Sequence, residues 1–186
     1  MSVSTNDLKN GMSLDLPEGL MTVVEFQHVK PGKGGAFVRT KLRNFRSGAV
    51  IERTYRADEK LALAIIEKRE MQYLYRDGDD LTFMDASTYE QAPVPVADLG
   101  NATKYIKEGD TVILPTYQGQ VVGVDLPASV ELEVTQTDPG VQGDRVSGAR
   151  KPATVQTGLV VQVPLFVEVG DRIKVDTRSG EYLTRV

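Results

Sequence analysis

One lysine in this 186-residue chain stands on a turn whose composition suits entry into a crowded site. Lys33 lies in the middle of His28-Val29-Lys30-Pro31-Gly32-Lys33-Gly34-Gly35-Ala36-Phe37-Val38-Arg39, between two strand-like runs. Pro31 fixes φ on the approach, while Gly32, Gly34 and Gly35 are free to take positive φ without steric cost. A tip of this composition can be narrow, with the Lys33 amine projecting from its centre. The plain alternative is a solvated lysine on a flexible turn.

Residues able to make or break bonds by themselves are missing. His28 is the only histidine, which removes histidine triads and clustered histidine metal sites. Its alternation with Phe26 and Val24 reads as a satisfied strand histidine. The Gly-Lys-Gly tip lacks the spacing and the hydroxyl of a phosphate-binding loop. Asp77, Asp79 and Asp80 lack the distant bidentate glutamate of a calcium loop. Glu131 and Glu133 fall on one face of a strand, where solvation explains them. No cofactor and no metal are expected, and the chain does not read as an enzyme.

The elements that must carry Lys33 are strands. From Phe37 to Phe45 the residues alternate, with Val38, Thr40 and Leu42 on one face and Arg39, Lys41 and Arg43 on the other. The first set can pack a small barrel, and the second lays a cationic stripe running back from Lys33. Arg46, Arg53 and Arg56 continue the basic bias, relieved by Glu52. Residues 1–63 carry 10 basic and 7 acidic side chains, residues 64–127 carry 5 and 11, and residues 128–186 carry 7 and 8. A basic stripe on a chain of net charge −4 argues for one aimed contact with phosphates rather than general coating of nucleic acid.

Further alternating runs recur at Val23–Val29, Met71–Tyr75, Leu81–Met84, Thr111–Leu114, Val121–Val124, Val130–Thr135, Gly158–Val163 and Arg172–Asp176. Arg76-Asp77-Gly78-Asp79-Asp80 reads as a hairpin turn between two of them. Many short strands with turn signals imply small sandwiches or barrels. Two stretches look helical locally, Asp58–Met71 and Asp98–Lys107. The second is the stronger, because the β-rich transition at Ile65–Tyr75 suits a strand entering a new barrel. The cuts fall near residues 63 and 127, giving domains 1–63, 64–127 and 128–186.

The chain has no cysteine, so disulfides and thiolate metal sites are excluded and a reducing compartment fits. Its start is polar and is not read as a secretory signal, and no run approaches a membrane span. Cytoplasmic location is expected, and Asn101-Ala102-Thr103 is then a coincidental glycosylation sequon.

Four segments together resemble the bacterial elongation factor P family. They are the tip VKPGKGGAFVRTKLRN (29–44), the start Asn6-Asp7-Leu8-Lys9-Asn10-Gly11, and Tyr73–Asp80 with its continuation through Phe83-Met84-Asp85 to Tyr89-Glu90-Gln91. The fourth runs through VELEVTQTDPGVQGD (130–144), KPATVQTG (151–158) and VVQVPLFVEVGDRIKVDTRSGEY (160–182). The resemblance implies an all-β fold of three small barrels, an SH3-like amino-terminal barrel followed by two OB-type barrels, in an L-shaped arrangement similar to tRNA. It also implies a factor that binds the ribosome between the P and E sites and promotes peptide-bond formation at runs of proline.

By the same resemblance Lys33 approaches the P-site peptidyl-tRNA and is the site that a modifying enzyme lengthens in many lineages. Pro31, Gly32, Gly34 and Gly35 shape the tip, and Arg39, Lys41 and Arg43 meet RNA. Gly143, Asp144 and Arg145 fall in the loop that approaches the E-site mRNA codon, where Arg145 departs from the family's usual Gly-Asp-Thr. The partners implied are ribosomal RNA and protein, tRNA and mRNA, with no membrane, and a monomer is expected. The competing reading is a ribosome-independent OB-type RNA-binding protein. It is weakened by the acidic middle third and by an aromatic content of only 6%, because grooves that grip single strands are cationic and rich in stacking side chains.

Overall fold

The computed structural model describes residues 1–140 and 148–186. In chain order its strands are β1 (Ser2–Ser4), β2 (Ser13–Leu16), β3 (Gly19–Val29), β4 (Phe37–Asn44), β5 (Val50–Arg56) and β6 (Lys60–Ala62). There follow β7 (Glu67–Asp77), β8 (Asp80–Asp85), β9 (Gln91–Pro95), the one-turn helix α1 (Val96–Leu99), β10 (Thr111–Tyr117) and β11 (Gln120–Val121). The last five are β12 (Ser129–Thr137), β13 (Arg150–Val155), β14 (Val160–Pro164), β15 (Arg172–Asp176) and β16 (Tyr182–Arg185). The fold is nearly all β, as expected. No helix among the described residues is long and apolar enough to cross a membrane.

The chain divides into two compact units, Met1–Arg69 with Leu114–Gly123, and Glu70–Ile113 with Val124–Val186. In the first, β2, β3, β4 and β5 form an antiparallel sheet in that order, and β1 pairs with β6. The alternation of β4 holds: Val38, Thr40 and Leu42 are wholly buried, whereas Arg39, Lys41 and Arg43 are exposed. Val38 and Leu42 join Leu8, Leu14, Met21 and Val23 in one core. Thr40 is tolerated there because its hydroxyl donates to the Arg53 carbonyl at 2.8 Å, so no polar atom is left unpaired.

On β3 the ladder slips between Val23, opposite Leu42, and Glu25, opposite Lys41, leaving Val24 as an unpaired bulge residue. The bulge corrects the expected Val24-Phe26-His28 face. Phe26 and His28 lie opposite Thr40 and Val38, but Val24 does not share their side of the strand. His28 is exposed rather than enclosed, its ring edge-on to Phe26 at 5.6 Å between centroids.

No helix forms over Asp58–Met71. Asp58 sits at φ +65°, outside the right-handed helical region, and the next residues pair as β6 with β1. Leu61 enters the core of the unit, and the Ala64 amide donates to the Ser13 carbonyl at 2.9 Å. Tertiary pairing thus overrides good local helix formers. The stronger candidate, Asp98–Lys107, is helical in part: α1 ends at Gly100, whose φ of +58° breaks it before a 3-10 segment, Gly100–Lys104.

In the second unit β7 pairs with β8 and β8 with β9. The turn at Arg76–Asp80 is a hairpin, with Asp77 opposite Asp80 and Gly78 at φ +60°. The sheet β14-β13-β12-β15-β16 encloses a separate core of Leu132, Val134, Val155, Val161, Val163 and Ile173, among others. Glu131 and Glu133 are exposed on β12, the solvated face that the alternation predicts.

Candidate functional site

The Lys33 tip closes the β3–β4 hairpin. Val29 pairs with Phe37, so the loop comprises Lys30 to Ala36. Its return side is held where the Ala57 amide donates to the Ala36 carbonyl at 3.0 Å. Pro31, Gly32, Lys33, Gly34 and Gly35 are all exposed, and Lys33 has no hydrogen-bond or ion-pair partner among the described residues.

The three glycines are not equivalent. Gly34 alone adopts positive φ, at +110°, and a Cβ there would lie 3.9 Å from Pro31 Cγ. Gly32 and Gly35 do not take the left-handed region and have open space around them. Freedom to take positive φ is therefore used once, next to Lys33, rather than three times.

The stripe behind the tip is cationic at its ends and balanced in its middle. Cross-strand partners share a face, so the register gives the neighbours of each residue. Arg39 stands between Gln27 and Thr54, and Arg43 between Thr22 and Val50, neither in an ion pair among the described residues. Lys41 stands between Glu25 and Glu52 and makes an ion pair with Glu25 at 3.1 Å. The hydrogen bond to Glu25 and that carboxylate's charge hold the Lys41 ammonium above the ordinary lysine pKa, so it stays fully charged.

Two arginines of the basic bias separate on folding. Arg53 pairs with Thr40, on the opposite side of β5 from Glu52 and Thr54, and its guanidinium is held by Glu18. Arg56 lies opposite Phe37, on the face of Arg39 and at the foot of the tip. Its backbone is pinned on both sides: the buried Thr5 hydroxyl donates to its carbonyl at 2.9 Å, and its amide donates to Glu59 Oε2 at 3.1 Å. Sequence reading passed over Arg56 as a member of the site. The alternation of Ile51, Arg53 and Tyr55 with Glu52, Thr54 and Arg56 was the signal available.

Gly143, Asp144 and Arg145 lie outside the described residues. The flanking stem is tightly built. A Cβ on Gly140 would meet the Leu165 carbonyl oxygen at 2.6 Å, and buried Lys151 donates its ammonium to the Asp138 carbonyl. Among the described residues no group of three or more His, Asp or Glu side chains could hold a metal ion. The arrangement around Lys33 suits electrostatic contact and positioning.

Comparison with known proteins covers nearly the whole chain. Residues 4–61 match the elongation factor P KOW-like domain, residues 66–124 the elongation factor P OB domain, and residues 130–185 the elongation factor P carboxy-terminal domain. The chain is 55% identical over 184 residues to elongation factor P of Pelotomaculum thermopropionicum, covering 99% of this chain and 100% of that one. It is 56% identical over 183 residues to elongation factor P of Beutenbergia cavernae, covering 98% of each. Among solved structures, eukaryotic translation initiation factor 5A from Methanococcus jannaschii aligns with a TM-score of 0.53 at 26% identity, covering 67% of this chain and 94% of that one.

Proposed function

This chain belongs to the elongation factor P family of translation factors, and from that premise we propose that it binds the ribosome between the P and E sites and speeds peptide-bond formation at runs of proline. The observation that carries this reading is the exposed Lys33, without a partner among the described residues, at the end of a hairpin whose other face is packed into a core.

Proline constrains the peptidyl chain and presents its nitrogen poorly, so the slow step at proline runs is dominated by misalignment. Correct positioning of two reactants can lower such a barrier by several kcal/mol without acid or base catalysis. Lys33, with or without an enzymatic extension, reaches toward the CCA end of the P-site peptidyl-tRNA. Pro31, Gly32, Gly34 and Gly35 keep the tip slender enough to enter. Arg39 and Arg43 contact RNA phosphates, with Lys41 contributing less because Glu25 already balances it.

Gly143, Asp144 and Arg145 address the E-site codon and so distinguish a programmed ribosome. The three segments 1–63, 64–127 and 128–186 act as separate barrels on one monomer in the cytoplasm. No bond is made or broken by the factor's own side chains. The test is reconstituted translation of a proline-run message: wild-type protein should relieve the stall and Lys33→Ala should not. Binding to free RNA with no effect on the stalled ribosome would favour the ribosome-independent reading instead.

A further inference from the structure

We propose that the exposed face of Phe166 is a stacking site for an unpaired RNA base. Phe166 lies just beyond β14, in a segment with fixed neighbours. The Val167 amide donates to the Pro164 carbonyl at 3.2 Å, and Val167 is wholly buried in the core. Phe166 itself is 56% exposed. A large aromatic ring held this firmly in water adds little to stability, since most of its apolar surface never leaves solvent.

One face of the ring is already occupied. The Arg185 guanidinium carbon lies 5.0 Å from the ring centroid, within cation–π range. Arg185 is aimed by Asp171 at 3.6 Å, and Asp171 Oδ2 also accepts the Glu168 amide at 2.9 Å. The ring is thus backed by a positioned cation, with more than half of the residue still exposed. Arg150, exposed and without an ion pair among the described residues, pairs across the sheet with Pro164, two residues before Phe166.

A flat ring backed by a guanidinium, with a second arginine close by, matches a base with its attached phosphate better than an aliphatic protein surface. Stacking tolerates any base because every base has a π face. The site deepens the proposed function by adding a second RNA contact, on a different unit from Lys33, and does not depend on the chemistry proposed for the tip.

The chain contains no tryptophan, so Phe166→Trp creates a single fluorescent reporter at the site itself. Two measurements decide. Titration of Phe166→Trp with a twelve-nucleotide single-stranded RNA should quench its emission. Association with 70S ribosomes should be near wild type for Phe166→Trp and weaker by roughly fivefold to a hundredfold for Phe166→Leu. Melting curves for both variants confirm that the fold is kept, and Arg185→Gln serves as a second variant should Phe166→Leu melt early. Absence of quenching overturns the proposal. So does full ribosome affinity in Phe166→Leu, which would instead mark an aliphatic protein contact. A Lys33→Ala protein that still relieves stalls would sink the tip mechanism and leave this result untouched.

Discussion

Lys41 and Glu25 face each other across β3 and β4 at 3.1 Å, between Arg39 and Arg43, neither of which is in an ion pair among the described residues. The pair divides the face into a tip-proximal group, Arg39 and Arg56 around Phe37, and a distal Arg43. An exposed ion pair of this kind contributes little to stability, so its larger effect is on which cations remain free for the proposed RNA contacts.

Arg39→Glu combined with Arg43→Glu is therefore expected to weaken ribosome association and flatten its salt dependence. Each lost phosphate contact reduces the slope of log affinity against log salt by about 0.7–0.9, so two should remove roughly 1.4–1.8. Lys41→Gln should change the slope far less. Binding measured at four or more salt concentrations checks both, and an equal loss in Lys41→Gln would show that the Glu25 pair opens on the ribosome.

Lys33→Ala should remove most of the relief of proline-run stalling while the melting temperature stays within about a degree, because an exposed loop residue makes few contacts. Reconstituted translation beside a thermal melt reads both quantities.

The glycines should separate in activity. Gly34→Val places a β-branched residue at φ +110°, costing about 1–3 kcal/mol if the loop keeps its shape, so the loop should instead be rebuilt and stall relief should fall. Gly32→Ala and Gly35→Ala meet open space at ordinary φ and should retain more activity than Gly34→Ala. Side-by-side rescue assays of the three alanine variants give the order.

In the carboxy-terminal segment, Asp144→Ala should raise the factor concentration needed for half-maximal rescue more than it lowers the saturating rate, the pattern of lost recruitment. Gly140→Ala should behave differently. Its Cβ would sit 2.6 Å from the Leu165 carbonyl oxygen, so the backbone must shift at a cost of about 1–3 kcal/mol. A melting temperature lower by several degrees is expected for Gly140→Ala and not for Asp144→Ala.

Acid stability should depend on Asp176. The amides of Ser179 and Arg178 donate to its carboxylate at 3.0 and 2.8 Å and hold its pKa below the usual value. A depressed folded-state pKa gives stability that is present above the unfolded value, about 4, and lost as pH falls through the folded one. The difference in melting temperature between wild type and Asp176→Ala should thus be largest above pH 5 and shrink below pH 4.

Much of the first unit's site was legible because it depends on local alternation. Val38, Thr40 and Leu42 point inward and Arg39, Lys41 and Arg43 outward whatever β4 pairs with. The turn at Asp77–Asp80 was equally local. What escaped was register. Whether Lys41 meets Glu25 depends on counting residues through the loop, and whether Leu42 meets Val23 depends on a bulge at Val24 that nothing in the run Val23-Val24-Glu25-Phe26 announces. The fate of Asp58–Met71 was hidden for a related reason. Its residues favour a helix in isolation, and only the partners offered by β1 and the core around Leu61 reverse that preference.

Val24 matters for its presence in the count more than for its chemistry. Because it is the surplus residue of the ladder, removing it would leave Glu25 opposite Lys41 and Val23 opposite Leu42, with every other residue of β3 keeping its side. The core would be spared and the local bend lost. The direction in which the finger is aimed is therefore adjustable by one codon, independently of the packing that holds the finger up.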